Sequence, residues 1–258
     1  MVKNKQANDK TIADTFSYQH VAISCCYTLR KSAYNVRQIW KKPLYGIFLY
    51  KPKGSSIKKE KKLMRDGFKG SRTLVIPRLL MKELDLDRFS SMLYVTDIGY
   101  YPKAALHRRV RKKGISQYVL IYCTDGEGWY KLDGNQYTVK ANHCFILPAY
   151  KPHEYGASES APWSIYWIHF KGEFASFYGE KFKTPFYIPP GRLSRIRDRL
   201  QIFEDIYTAL SHGFSRSNIE FASSSLYYFL ATIKYLDTFR TSRQQHEAEQ
   251  EIVDSAIH

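Results

Sequence analysis

Residues 93–172 contain three stretches that decide the fold: LYVTDIGYY (93–101), QYVLIYCTDGEGWYKLDGNQYTVKANHCFILPAYKPHEYG (117–156) and PWSIYWIHFKG (162–172). Tyr118-Val119-Leu120-Ile121-Tyr122 is rich in β-branched and aromatic residues, the composition of a strand. Short strands are also expected over 127–132, 136–139 and 144–147, the last stopped by Pro148. Asp125-Gly126 and Asp133-Gly134 read as hairpin turns, because a two-residue type I′ turn needs positive φ and glycine supplies it without a clash. Strands about ten residues apart, with turn signals between them, predict an antiparallel barrel or sandwich.

After Gly172 the apolar period lengthens from two to about 3.6. Leu193, Ile196, Leu200, Phe203, Ile206 and Leu210 recur at spacings of three and four, which predicts a helix over 192–212 that stops at His212-Gly213. Ser217 with Glu220 three residues on reads as the capping box of a second helix over 217–238. Its apolar content exceeds one stripe, so one face is expected to cover the barrel and another a second subunit. Leu200, Phe203, Ile206, Leu226, Phe229 and Ile233 are assigned to that dimer interface. Residues 241–250 read as a polar linker and 251–258 as the start of a further helix.

Before the barrel, 64–90 reads as a lead-in segment: a short apolar run, Thr73-Leu74-Val75-Ile76, ends at Pro77, and 79–86 suits a helical turn or two. Residues 44–50 could form a strand but have no evident partner. Residues 51–62 are polar, basic and interrupted by Pro and Gly, the composition of a disordered linker. Lysine and glutamate codons are rich in purines, so Lys58-Lys59-Glu60-Lys61-Lys62 implies a purine run just before Met64, as a bacterial ribosome-binding site would give. Translation is therefore expected to begin at Met64, with 1–63 a basic, disordered extension upstream of it.

The net charge of +16 suggests nucleic acid until it is divided. Residues 1–82 hold 19 Lys and Arg against 4 Asp and Glu, and residues 83–258 hold 21 against 20. The barrel and the helices are thus nearly neutral. No helix there has the basic polar face of a recognition helix, and sequence-specific DNA binding is not expected of this chain. No apolar run approaches the ~18 residues of a membrane span. MVKNKQANDK at the start lacks the apolar core of a secretory signal. The cysteines, Cys25, Cys26, Cys123 and Cys144, lack zinc spacing, so a reducing, cytoplasmic setting without cofactor is expected.

A metal barrel of the cupin kind would need a His-x-His pair, a Glu and a later His on one ion. Only the later half of the pattern is present: Asn142, Pro148, Tyr150 and His153 keep the spacing of the second cupin motif, with Asn142 and Tyr150 in place of its turn glycines. Around His107 the text is His-Arg-Arg-Val-Arg, with no second His at +2, so no metal and no catalytic residue is assigned. His143 and His169 are the remaining barrel histidines. A small-ligand pocket is the better expectation. Trp129, Tyr130, Tyr155, Trp163, Tyr166 and Trp167 crowd one barrel, with Arg109 and Arg111 at its entrance and His153 at its mouth. Apolar walls with a few aimed polar groups build such sites, and aromatic faces suit sugar rings. His107 and Tyr118 complete the expected ligand set.

Arg111-Lys-Lys-Gly-Ile-Ser-Gln-Tyr-Val-Leu, Gly126-Glu-Gly-Trp, Phe145-Ile-Leu-Pro, Pro152-His-Glu-Tyr and Pro162-Trp-Ser-Ile-Tyr-Trp-Ile-His-Phe-Lys-Gly together resemble the N-terminal domain of AraC-type transcriptional regulators. The resemblance runs from residue 64 to the C terminus. It implies a mainly β fold with α: a cupin-like (double-stranded β-helix, jelly-roll) barrel over 91–188 and an antiparallel pair of dimerisation helices over 189–240. It implies a small effector, often a sugar, a homodimer, and DNA contacts made by a helix-turn-helix half that would begin where this chain stops, near 241–258. Arg111, Tyr155 and Trp167 match positions that arabinose-sensing members use. Those members also place a His two residues before the Trp, where this chain has Ile165, so the resemblance does not carry arabinose itself. The alternative is a cupin-fold enzyme, a metal-dependent isomerase or dioxygenase.

Overall fold

The computed structural model describes residues 63–257. The expectations placed on 1–62, including the basic linker and the strand over 44–50, lie outside the described residues. Ten strands form two antiparallel sheets: β1 (Arg72–Val75), β2 (Tyr94–Tyr101), β3 (Arg108–Arg111), β4 (Tyr118–Asp125), β5 (Glu127–Leu132), β6 (Asn135–Lys140), β7 (His143–Leu147), β8 (His153–Ala157), β9 (Ser164–Lys171) and β10 (Phe186–Tyr187). One sheet has the order β1-β2-β9-β4-β7-β10 and the other β3-β8-β5-β6. A short helix α1 (Arg78–Leu84) follows β1, and α2 (Ala175–Gly179) follows β9. Three longer helices close the chain: α3 (Ile196–Ser211), α4 (Arg216–Lys234) and α5 (Leu236–Ile257). The architecture is a cupin-like barrel followed by helices.

Strand parity explains the near-continuous apolar text. On β4, Val119, Ile121 and Cys123 join the core between the sheets, while Leu120 and Tyr122 join the core under the helices. β7 and β9 divide the same way: Phe145, Leu147, Ile165 and Trp167 point into the barrel, and Cys144, Ile146, Ile168 and Phe170 point away from it. A sheet covered on both faces hides the alternation that a half-exposed strand would show. Tyr130 of β5 stacks on Phe145 of β7 at 4.1 Å and 6°, joining the two sheets through the barrel.

Asp133 and Gly134 have φ of +49° and +82° and join the paired strands β5 and β6, as their sequence predicts. Asp125-Gly126 does not make a hairpin. β4 pairs with β7 and β9, β5 pairs with β6 and β8, and Gly126 carries the chain from one sheet to the other. Its positive φ (+69°) and its closeness to Pro162, whose carbonyl oxygen would be 2.5 Å from a Cβ, both require glycine there. Asn142 and Tyr150, which replace the turn glycines of the cupin pattern, keep the left-handed backbone at φ +63° and +62°.

The helices differ from expectation in three ways. Ser215 rather than Ser217 caps α4, accepting from the Asn218 amide at 3.3 Å, and Glu220 pairs with Arg216 instead of closing a capping box. The supposed linker over 241–250 is helical within α5. Most importantly, Phe203, Ile206, Leu226, Phe229 and Ile233 are at most 2% exposed and belong to the core between the helices and the barrel, with Leu200 packed against it. They are not available as a subunit interface. A single chain already uses that stripe, because the outer face of the six-stranded sheet must be covered.

Candidate functional site

A cavity of about 340 Å³ opens inside the barrel. Alternation aims its wall: Arg109 and Arg111 turn inward on β3 while Arg108 and Val110 are exposed, and Ile165, Trp167 and His169 follow one another at period two on β9. Asp97 and Tyr101 come from β2, Ile121 from β4 and Tyr155 from β8. The lead-in contributes Asp66, Thr73, Val75, Arg78 and Met81, and the connection before β4 contributes Ile115 and Gln117.

The polar groups of this wall are mostly committed to one another. Asp66 accepts from the Tyr101 hydroxyl at 2.6 Å and from Arg109 at 3.1 Å. Asp97 accepts from Thr96 Oγ1 at 2.8 Å and lies 3.4 Å from His169 Nδ1. Burial works to raise the Asp97 carboxyl, but the His169 and Thr96 hydrogen bonds and the Arg111 charge hold it below the usual range. His107 sits in an aromatic box of Phe68, Tyr101, Tyr155 and Trp163, and the Trp163 indole donates to its Nδ1 at 3.2 Å. Nδ1 is therefore the acceptor and Nε2 carries the proton. Burial, helped by the Arg109 charge, pushes this imidazole down to about 4, against the weaker pull of Asp66. Four buried nitrogens have no hydrogen-bond partner among the described residues: Arg111 Nε, Trp167 Nε1 and His153 Nε2 in or beside the barrel, and Arg199 Nε under the helices.

Of the residues expected at the site, Arg111, Tyr155, Trp167, His107 and Arg109 line the cavity. His153 is buried behind it, its ring stacked on Tyr155 at 6.2 Å. The structure places Tyr118 and Trp129 outside. Each has the parity opposite to an inward neighbour, Val119 and Tyr130 respectively, so Tyr118 stacks on Phe170 and Trp129 lies on the outer face near Arg108 and Lys131. Asp66, Asp97 and Tyr101 were not singled out from the sequence, and His169 was noted only as a barrel histidine. A lone carboxylate in the apolar text of β2 was the available signal for Asp97. Nothing in the sequence around Asp66 distinguishes it. Among the described residues, no three of His, Cys, Asp and Glu come together as a metal-ligand set, and no helix is long and apolar enough to cross a membrane.

A barrel of two antiparallel sheets around a small cavity, backed by helices on one sheet, is a cupin-like barrel. The chain belongs to the AraC-like ligand binding domain family, whose pattern matches residues 98–230. It is 33% identical over 111 residues to the MmsAB operon regulatory protein of Pseudomonas aeruginosa, a match covering 42% of this chain. The match spans 36% of that protein, so this chain corresponds to about a third of the curated relative's length. Solved structures with detectable likeness include the cupin domain of Cnp3 from Schizosaccharomyces pombe, at 10% identity, covering 42% of this chain and 67% of that one, with a TM-score of 0.29. KdgF from Halomonas sp. is another, at 16% identity, covering 44% and 88%, with a TM-score of 0.27.

Proposed function

We propose that this chain is the effector-binding and dimerisation module of a cytoplasmic transcription regulator and not an enzyme, sensing a small, sugar-like or sugar-derived molecule in the barrel. The observation that carries this reading is the cavity: its wall combines Trp167, Tyr155 and Ile121 with polar groups held in place by neighbours, as at Asp66–Tyr101–Arg109. Preorganised polar groups among apolar walls are how small-ligand sites achieve orientation. In this reading the barrel of 91–188 senses, the helices of 189–240 pair two copies, and operator DNA is contacted by a separate domain of the regulator.

The pairing surface is assigned to the outer face of α4 instead of its buried stripe. Phe221 and Tyr228 are 50% and 52% exposed, at a spacing of seven that keeps them on one side of the helix, and Tyr235, 45% exposed, follows at its C-cap. A thermal-shift screen of mono- and oligosaccharides and their derivatives tests the sensing role, since a ligand that binds only the folded state raises its melting temperature by mass action. Expected is a shift of several degrees with at least one compound, lost on Trp167→Ala. Silence across the whole screen would remove the reading.

A further inference from the structure

We propose that the effector carries a carboxylate, received by Arg111 and the Trp167 indole N–H, so that the cavity selects a small hydroxylated acid over its neutral counterpart. The proposal rests on the effector reading above and specifies its chemistry. Three arginines and two aspartates line the cavity, and both aspartates are already served: Asp66 by Tyr101 and Arg109, Asp97 by Thr96 and His169. Arg111 forms no ion pair among the described residues, and its Nε is buried without an acceptor. Trp167 is 7% exposed, and its Nε1 is likewise buried without one.

Both nitrogens are donors only, so the missing groups must be acceptors. A buried donor without a partner costs free energy, and a half-buried guanidinium gains most from a directly bonded anion. One carboxylate answers both needs, supplying two acceptor oxygens and a negative charge in direct contact with Arg111, which Asp97 influences only through space; a hydroxyl supplies neither the second oxygen nor the charge. Arg78 also lines the cavity without an ion pair among the described residues, so phosphate is kept as a separate arm of the test. Elsewhere on the wall, Asp97, Gln117 and Thr73 can exchange hydrogen bonds with hydroxyls. At about 340 Å³ the cavity lies near the lower end of ligand sites, the size for a compact acid rather than an oligosaccharide.

The test is a set of matched titrations followed by tryptophan fluorescence: D-galacturonate against D-galactose, D-gluconate against D-glucitol, D-glycerate against glycerol, and D-galactose 1-phosphate as the phosphate arm. The expected result is at least one acid binding about tenfold or more tighter than its neutral partner, as a charge-assisted contact provides. Arg111→Gln should abolish that preference, and Trp167→Phe, which keeps an apolar ring and removes only the N–H donor, should weaken the acid selectively. If Arg111→Gln does not fold, Trp167→Phe carries the comparison. Neutral partners that bind as well as the acids overturn the carboxylate and leave the effector reading standing. A phosphate that outbinds every acid, or an acid preference that survives both substitutions, also overturns it. Silence from acids and neutral compounds alike, together with silence in the wider sugar screen, removes both readings.

Discussion

Gly99 and Trp167 face each other across β2 and β9, and a Cβ on Gly99 would stand 2.4 Å from the indole Cζ2. The same Cβ would be 2.6 Å from the Arg72 carbonyl oxygen on the other neighbouring strand. The absent side chain is what lets the indole lie flat against β2. Gly99→Ala should displace Trp167 and cost about 1–3 kcal/mol, as overpacking does. The check is a melting curve together with the Trp emission maximum; if neither moves, the indole is not held by this contact.

Arg199 is fully buried at the N-terminal end of α3, where it donates to the carbonyl oxygen of Thr232 at 3.1 Å and to that of Ser194. Its guanidinium lies 5.6 Å from the Tyr122 ring, so it joins α3, α4 and the outer face of β4. No carboxylate pairs with it among the described residues. Arg199→Met keeps an apolar stem but leaves two buried carbonyls unsatisfied, and a loss of about 2–4 kcal/mol is expected. Chemical denaturation measures it. A variant as stable as the parent would show that the carbonyls find other partners.

Acid should weaken the fold before the carboxylates titrate. Burial holds His107 and His153 neutral in the folded protein, each at about 4 against 6.5 for the free side chain. His107 faces Arg109 and Asp66; His153 faces Arg111, His169 and the Lys151 carbonyl. Because the unfolded chain takes up these protons and the folded one does not, stability is full above pH 6.5 and falls as pH drops toward 4. The loss at pH 4 is on the order of 3 kcal/mol for each histidine. Denaturation midpoints at pH 7 and pH 5 should differ, and His107→Asn should flatten the dependence. Identical midpoints for the parent at both values would contradict the assignment.

The exposed stripe of α4 predicts the oligomeric state. Light scattering should find a dimer, and Phe221→Glu with Tyr228→Glu should give a monomer of unchanged circular dichroism, since neither side chain contributes to the core. A parent that is monomeric at micromolar concentration removes the pairing face, and a double variant that remains dimeric moves it elsewhere.

The near-neutral charge of residues 83–258 predicts silence toward operators. In a gel shift at about 150 mM salt, this chain should form no discrete complex that resists competitor DNA. A complex specific to one sequence would place recognition within the chain itself.

The local chemistry of the sequence was sufficient to determine strands β4 to β7, the Asp133-Gly134 hairpin and the two apolar helices, because composition, period and turn residues act over a few neighbours. Arg111, Tyr155 and Trp167 were legible through their surrounding motifs. Only the tertiary structure decided which parity of each strand faces inward. A period of two states that alternate residues share a face, and not which face, so Trp129 and Tyr118 were placed in a cavity that Tyr130 and Val119 exclude them from. The same is true of Asp125-Gly126, where a glycine at positive φ serves a sheet crossing as readily as a hairpin. It is true again of the helices: an apolar stripe must be covered, but whether its cover is a second copy or the chain's own sheet depends on contacts far apart in sequence. Here the sheet takes Phe203 and Phe229, and Phe221 and Tyr228 are left outside.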